Sequence, residues 1–198
     1  IMAFSSVFLV WYRKIPSSVD SGFRYLLWHV IGGLILFSGI MIQYSVSGDL
    51  SIQYLPFHDW WPTDIQSLAT FLILIGFIVN AAVPPFGAWL PDAYPAATVT
   101  GAVFMSAFTT KTAVYALIRV CAGSEILIFL GVVMAIYGVV YAVLENDARR
   151  LLAYHIISQV GYMVAGTGLG TQLAINGVVA HAFCHILYKS LLFMGTGS

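Results

Sequence analysis

The sequence predicts an all-α fold, a bundle of helices that crosses a membrane several times. Of the 198 residues, 60% are hydrophobic and only 8% are charged, and the mean hydropathy is +0.92. Ordinary soluble domains carry about 25% charged residues. The eight basic and eight acidic residues leave no net charge, so we expect lipid rather than nucleic acid as the surroundings of this chain.

Apolar runs long enough to cross the hydrocarbon core, which takes about 20 helical residues, define the elements in chain order. The chain opens with the end of one helix, at 1–12. Six further spans follow, at 24–46, 66–91, 98–120, 125–144, 149–169 and 172–195. The first helix is incomplete and the chain stops just after an apolar run. We therefore expect the chain to be part of a larger subunit.

Basic residues between the spans predict the orientation. Five lie in loops on one side of the predicted membrane, and Arg119 is alone on the other: Arg13, Lys14, Arg24, Arg149 and Arg150. Cytoplasmic loops carry the excess of Lys and Arg, so the side with five should be cytoplasmic. The expected location is the plasma membrane of a bacterium or archaeon, crossed several times. His29, near the predicted start of the first full span, is expected at the lipid headgroups.

Two prolines predict a break in the third apolar run. Pro84 lacks the amide hydrogen that would bond the carbonyl of Asn80, and Pro85 likewise frees the carbonyl of Ala81. We expect a broken helix around 80–85, with two backbone acceptors and an amide side chain at one depth. Irregular backbone at membrane depth is tolerated only inside protein or beside a watery cavity, and it marks transport sites in many carriers. A kink satisfied by neighbouring helices is the alternative.

Lys111 lies near mid-depth in the next span. A charge there costs about 2.5–3.5 kcal/mol on insertion scales, so such residues usually face the interior of a bundle or a water path. Thr109, Thr110 and Thr112 flank the lysine with hydroxyl groups that suit water. The alternative is that the side chain reaches back to the interface. Arg119 marks that interface about 12 Å further along the helix, which is far for one side chain.

The last span contains His181, His185 and Lys189, spaced by four. This spacing places them on one helix face over about 12 Å of rise. Imidazoles titrate near neutral pH and a desolvated lysine can lose its proton, so the row is suited to relaying protons. Two alternatives remain. Metal binding lacks the glutamate of an HExxH motif and any nearby acidic ligand, and hydrogen-bonded helix packing would use the same side chains.

Three further polar residues, His155, Ser158 and Gln159, lie one to two turns into the preceding span. Together they could extend a hydrated path, although each alone fits a structural role. The sequence contains no motif for a catalytic site, a metal or a cofactor. Whether the protein takes part in an enzyme stays open, and any catalysis would occur in partner subunits.

Three segments carry a family resemblance: PPFGAWLPDAYPAATVTGAVFMSAFTTKTAVYALIR, NDARRLLAYHIISQVGYM and HAFCHILYKSLLFMGTGS. They resemble the antiporter-like, proton-translocating membrane subunits shared by respiratory complex I and the Mrp-type multisubunit sodium/proton antiporters, and within that family the D-type antiporter protein. The resemblance implies a fold of about fourteen helices with inverted repeats, each containing a broken helix. This chain would cover the end of the fifth helix through the eleventh.

The resemblance also implies roles for particular residues. Lys111 matches the family's lysine on the eighth helix, and His181, His185 and Lys189 match the row on the eleventh. The family's broken-helix lysine falls on Asn80, whose amide cannot hold or release a proton near neutral pH. A family glutamate would stand just before Ile1, and Ala96 replaces a frequent acidic residue.

Three functions are consistent with these features. The first is an ion-translocating subunit of a multisubunit cation/proton antiporter, which moves protons, and a cation such as Na⁺, in a complex with other membrane subunits. The second is a membrane subunit of a redox-driven pump, of the NADH-quinone oxidoreductase or membrane-bound hydrogenase kind. The third is an assembly or coupling subunit that does not conduct ions.

Overall fold

A computed structural model describes residues 2–52, 54, 55, 57 and 61–197. These residues form eight α-helices and no β-strand. The helices are α1 (Met2–Trp11), α2 (Pro16–Ser47), α3 (Ile65–Asn80), α4 (Trp89–Ala96), α5 (Val99–Val120), α6 (Glu125–Leu144), α7 (Ala148–Leu169) and α8 (Gln172–Gly195). The predicted all-α membrane bundle is confirmed.

Helix α2 is longer than the predicted span 24–46. It begins at Pro16, because Ile15 is extended and proline suits the first helical position, where an amide hydrogen would have no partner. It ends where Gly48 takes a left-handed conformation (φ 70°) and its N–H donates to the Tyr44 carbonyl. His29 is 5% exposed, so its side chain faces the interior of the bundle. The expectation that His29 faces the headgroups was wrong.

The predicted span 66–91 is two helices, and the predicted Pro-broken helix is confirmed. α3 ends at Asn80 and α4 begins at Trp89, with Ala82 left-handed (φ 61°) in the turn between them. A Cβ on Gly87 would lie 2.3 Å from the Ala82 carbonyl oxygen, so only glycine allows the chain to fold back so closely. The Trp89 indole N–H donates to the Val79 carbonyl (3.2 Å), which fastens the start of α4 to the end of α3.

Glycines bring α6 and α7 into close contact. A Cβ on Gly131 would lie 2.4 Å from the Ala165 amide nitrogen, and one on Gly138 would lie 2.4 Å from that of Ser158. Small residues of this kind let helix backbones approach each other in membranes, where no hydrophobic force drives association. The two helices form the most extensive pair in the described part of the chain.

Four of the helices, α2, α5, α6 and α8, are long and apolar enough to cross a membrane. Many of their large apolar side chains point outward, as expected for surfaces that face lipid. α7 is as long as α5 but less apolar. Because α7 packs against α4, α5, α6 and α8, it faces protein rather than lipid and needs fewer apolar residues. This central helix positions the candidate site.

Candidate functional site

Lys111 is buried in the bundle on α5, with 8% of its surface exposed. Its ammonium donates to the Ser106 carbonyl (2.7 Å) and to the Thr110 hydroxyl (3.2 Å). Both acceptors belong to α5 and both are neutral. The side chain therefore curls back along its own helix into a small polar pocket instead of reaching the membrane interface.

Lys189 on α8 is completely buried. Its ammonium donates to the Leu152 carbonyl on α7 (3.1 Å) and so joins the two helices. An ammonium group has three hydrogens to donate, and this is the one hydrogen bond it makes among the described residues.

The two histidines of the predicted row lie side by side on α8. Their ring centroids are 6.1 Å apart and the rings are 28° from parallel. His185 is completely buried, and within the described part of the chain neither of its ring nitrogens has a hydrogen-bond partner. His181 is half-buried at an open cavity of about 230 Å³ between α7 and α8. That volume is large enough for water to reach the row from this end.

Electrostatic contacts join the row to Lys111. The charges of Lys111 and Lys189 act on each other across the interface of α5 and α8. His185 lies within electrostatic range of both lysines, of His181 and of His155 on α7. In the described residues the ion pairs are Arg24–Asp92 and Arg150–Glu145, and neither involves a buried lysine. The site therefore contains lysine and histidine side chains, which are positively charged when protonated. A proton on one of them disfavours a proton on its neighbours.

The three polar residues predicted on α7 take different positions. His155 is half-buried and feels the charge of Lys189, so it borders the row. Gln159 accepts a hydrogen bond from the Tyr188 hydroxyl (3.3 Å), also beside α8. Ser158 packs against Gly138 of α6 instead, because it faces the tight α6–α7 contact. The structure thus places two of the three next to the row.

The break between α3 and α4 forms a second polar region. The Asn80 amide donates to the Gly76 carbonyl one turn back (2.9 Å). Within the described residues, the carbonyls of Asn80 and Ala81 accept no hydrogen bond, as the proline pair at 84 and 85 predicts. The Asn80 side chain points toward α2, 3.6 Å from the place where a Cβ on Gly32 would stand. No hydrogen bond joins Asn80 to Lys111 in the described structure.

Sequence reasoning missed a cluster of buried aromatic and hydroxyl groups near the break. The Tyr25 hydroxyl hydrogen-bonds Ser6 of α1 (2.6 Å) and Thr109 of α5, and the Tyr94 hydroxyl donates to the Met105 carbonyl (2.9 Å). His29, 5% exposed, belongs to this cluster. Packing against Tyr25 and Trp89 buries His29, and the apolar run around it gives no signal of which side chains face the bundle interior.

No group of three or more His, Cys, Asp or Glu side chains that could hold a metal ion occurs in the part of the chain that the structure describes. The side chains and carbonyls of the site have two chemical capacities. Its lysines and histidines can bind and release protons, and its free carbonyls and amide can coordinate water or a cation.

A bundle of apolar helices with a broken helix and buried, titratable side chains defines the class: a polytopic membrane protein of the antiporter-like type. The chain belongs to the NADH:quinone oxidoreductase/Mrp antiporter transmembrane family, whose model matches residues 1–198. The resemblance seen in the three sequence segments is thereby confirmed.

Two curated relatives illustrate the range of the family. The D component of the Na(+)/H(+) antiporter of Alkalihalophilus pseudofirmus is 30% identical over 210 residues, which cover 100% of this chain and 42% of that protein. The N component of the NADH-quinone oxidoreductase of Desulforudis audaxviator is 30% identical over 196 residues, which cover 91% of this chain and 38% of that protein. The chain spans about two fifths of the length of these relatives.

Solved structures also match the chain to membrane complexes with antiporter-like subunits. The chain matches the structure of the Mrp complex from Dietzia sp. with a TM-score of 0.81 and 30% identity, covering 92% of this chain and 35% of that one. It matches the membrane-bound sulfane sulfur reductase, an archaeal respiratory membrane complex, with a TM-score of 0.85 and 25% identity. The match covers 98% of this chain and 42% of that one. Both are multisubunit membrane complexes.

Proposed function

We propose that this protein is an ion-translocating subunit of a multisubunit cation/proton antiporter, and that it moves protons through Lys111, His185, His181 and Lys189. The observation that supports this most strongly is the convergence of two buried lysines, the buried His185 and the half-buried His181 without an acidic partner in the described structure. Burying such charges is costly, and ionisable residues inside a membrane bundle usually serve an ion or proton path. A proton would pass between Lys111 and Lys189 by way of the His185 ring.

The partners follow from the same reasoning. The D-type antiporter protein and the Mrp complex that the chain resembles work in assemblies, so we expect other membrane subunits of a hetero-oligomeric complex to surround this one. The carbonyls of Asn80 and Ala81 would offer neutral coordination to water or to a cation such as Na⁺. His155 and Gln159 would extend the hydrated path along α7.

The test replaces Lys111 or Lys189 by alanine in the full-length protein within its complex, in vesicles driven by a cation gradient. Cation-driven proton flux should fall by about 100-fold, the order of magnitude that a lost proton-transfer group costs. Lys14→Ala is the matched control, because Lys14 is an exposed lysine in a loop. Unchanged flux in both buried-lysine variants, with normal assembly, would favour the non-conducting role instead.

A second candidate is a membrane component of a redox-driven pump. The match to an archaeal respiratory membrane complex and the relative from an NADH-quinone oxidoreductase favour it. The same vesicles separate the two functions. An antiporter protein supports proton flux when only a cation gradient is imposed, whereas a redox-driven pump needs an electron donor and acceptor.

A further inference from the structure

His29 contains a buried nitrogen that nothing in the described structure satisfies. The residue is 5% exposed, its Nδ1 lies 2.9 Å from the Tyr25 carbonyl oxygen, and its Nε2 is buried without a hydrogen-bond partner among the described residues. Buried polar atoms in proteins are nearly always paired, so an exception calls for an explanation.

The contact with Tyr25 fixes the tautomer of the ring. A carbonyl oxygen can only accept, so the hydrogen of the neutral imidazole must be on Nδ1. The lone pair is then on Nε2, the nitrogen without a partner among the described residues. In its neutral form His29 can therefore accept a proton on Nε2 in the interior of the bundle.

Two aromatic rings pack against the imidazole of His29. The ring centroids of Tyr25 and Trp89 lie 4.1 Å and 4.5 Å from that of His29. Together with the hydrogen bond to the Tyr25 carbonyl, these contacts hold the imidazole in one orientation.

His29 lies beside the broken helix. Trp89, which touches its ring, donates to the carbonyl of Val79, directly before Asn80. Gly32, about one turn further along α2, faces the Asn80 amide. The histidine and the break therefore share one interface, where the asparagine side chain cannot exchange a proton near neutral pH.

Few other groups at this interface can titrate. Of the helices that pack on α2, neither α1 nor α3 contains a titratable side chain within its described range, and α4 contains Asp92 and Tyr94. Asp92 pairs with Arg24 (3.1 Å) at the helix ends. The other titratable residues of α2 are Asp20, Tyr25 and Tyr44, and α5 reaches Tyr25 through Thr109.

We infer that His29 is a further proton-carrying residue of the transport path, located at the interface between α2 and the broken helix. Nε2 takes a proton from water in the path, which gives an imidazolium with a hydrogen on each nitrogen, and returns it to water or to the next group. No electron moves and no other bond changes. This inference rests on the proposed function, because it adds a step to that path.

The test is His29→Asn in the full-length protein within its complex, in the same vesicles. Asparagine can keep the bond to the carbonyl one turn back, as Asn80 does with Gly76 (2.9 Å), but it has no titratable nitrogen. We expect proton flux to fall by about 100-fold, as for a lost proton-transfer group, and its pH profile to lose one titration step. Gln43→Leu is the matched control. Gln43 also lies on α2, buried and with an oxygen unpartnered among the described residues, but it does not titrate, so flux and profile should stay as in the parent protein.

The outcomes separate this inference from the proposed function. If His29→Asn keeps both flux and pH profile while Lys111→Ala loses flux, the inference fails and the proposed function stands. If the variants of His29, Lys111 and Lys189 all keep their flux, the proposed function itself fails. Should His29→Asn not assemble, His29→Phe, which keeps the ring packing against Tyr25 and Trp89, is measured with the same two readouts.

Discussion

At the scale of single residues, Asn80 decides how the broken helix can act. Its amide is half-buried, donates to the Gly76 carbonyl and lies beside Gly32 of α2. The residue can orient water or a cation but cannot exchange a proton near neutral pH. A titratable side chain at this position would therefore change the chemistry of the region.

This predicts the behaviour of Asn80→Lys. If the protein conducts ions, a lysine here adds a titratable group to the path, so the pH dependence or the ion selectivity of transport should change. Proton and cation fluxes measured against pH in vesicles with the full-length complex check this. Asn80→Leu is the control, since leucine has a similar size and no charge and should leave the pH dependence unchanged. A pH profile that is the same for lysine and for leucine would contradict a conducting role of the break.

The sequence identified some members of the site and not others, for physical reasons. Lys111 and Lys189 stood out because charged residues are rare in apolar runs. Each lysine donates to a backbone carbonyl, that of Ser106 or Leu152, and no sequence pattern identifies those two acceptors. His29 was missed because an apolar run does not show which of its side chains face the bundle interior, and only the packing against Tyr25 and Trp89 does.

At the scale of elements, capping explains which helix bounds were easy to predict. Helix α5 was predicted at 98–120 and is Val99–Val120, since the Thr98 hydroxyl accepts from the Gly101 amide at its first turn. Helix α2 was predicted to begin at 24 and begins at Pro16, because its first two turns are polar and project beyond the apolar run. Hydropathy predicts the part of a helix that lies in lipid, whereas capping residues predict where the helix begins and ends.

The contact between α6 and α7 predicts a difference between two glycines. Gly138 has no room for a Cβ, which would meet Ser158 backbone atoms at 2.4 Å, whereas a Cβ on Gly33 of α2 would meet nothing within 4 Å. Gly138→Ala should destabilise the bundle by about 1–3 kcal/mol through overpacking. Gly33→Ala should be neutral or stabilising by up to about 1 kcal/mol, the gain in helix propensity. Denaturation of the purified full-length protein in detergent compares them, and equal stability of the two variants would contradict the observed contact.

At the scale of the whole molecule, the two ends of the bundle differ in charge. At one end Arg13 and Arg149 both donate to the Pro95 carbonyl, at 3.0 Å and 3.2 Å, and Arg24 pairs with Asp92. Arginines near a helix C-terminus stabilise its carbonyl groups, here those at the end of α4. At the opposite end, the Tyr54 hydroxyl donates to the Ala122 carbonyl (2.6 Å) and covers the turn between α5 and α6.

This asymmetry predicts the orientation of the protein in the membrane. The arginine-rich end should be cytoplasmic, because basic loops are retained on that side. Ser17 and Ser51 are exposed serines at the two ends, so Ser17→Cys and Ser51→Cys form a matched pair for labelling by a membrane-impermeant maleimide. In intact cells Ser51→Cys should react, and Ser17→Cys should react only after the membrane is permeabilised. The parent protein, with Cys121 buried and Cys184 exposed, gives the background. The reverse labelling pattern would show that the protein has the opposite orientation in the membrane. Protons that enter beside His181 would then come from the opposite compartment.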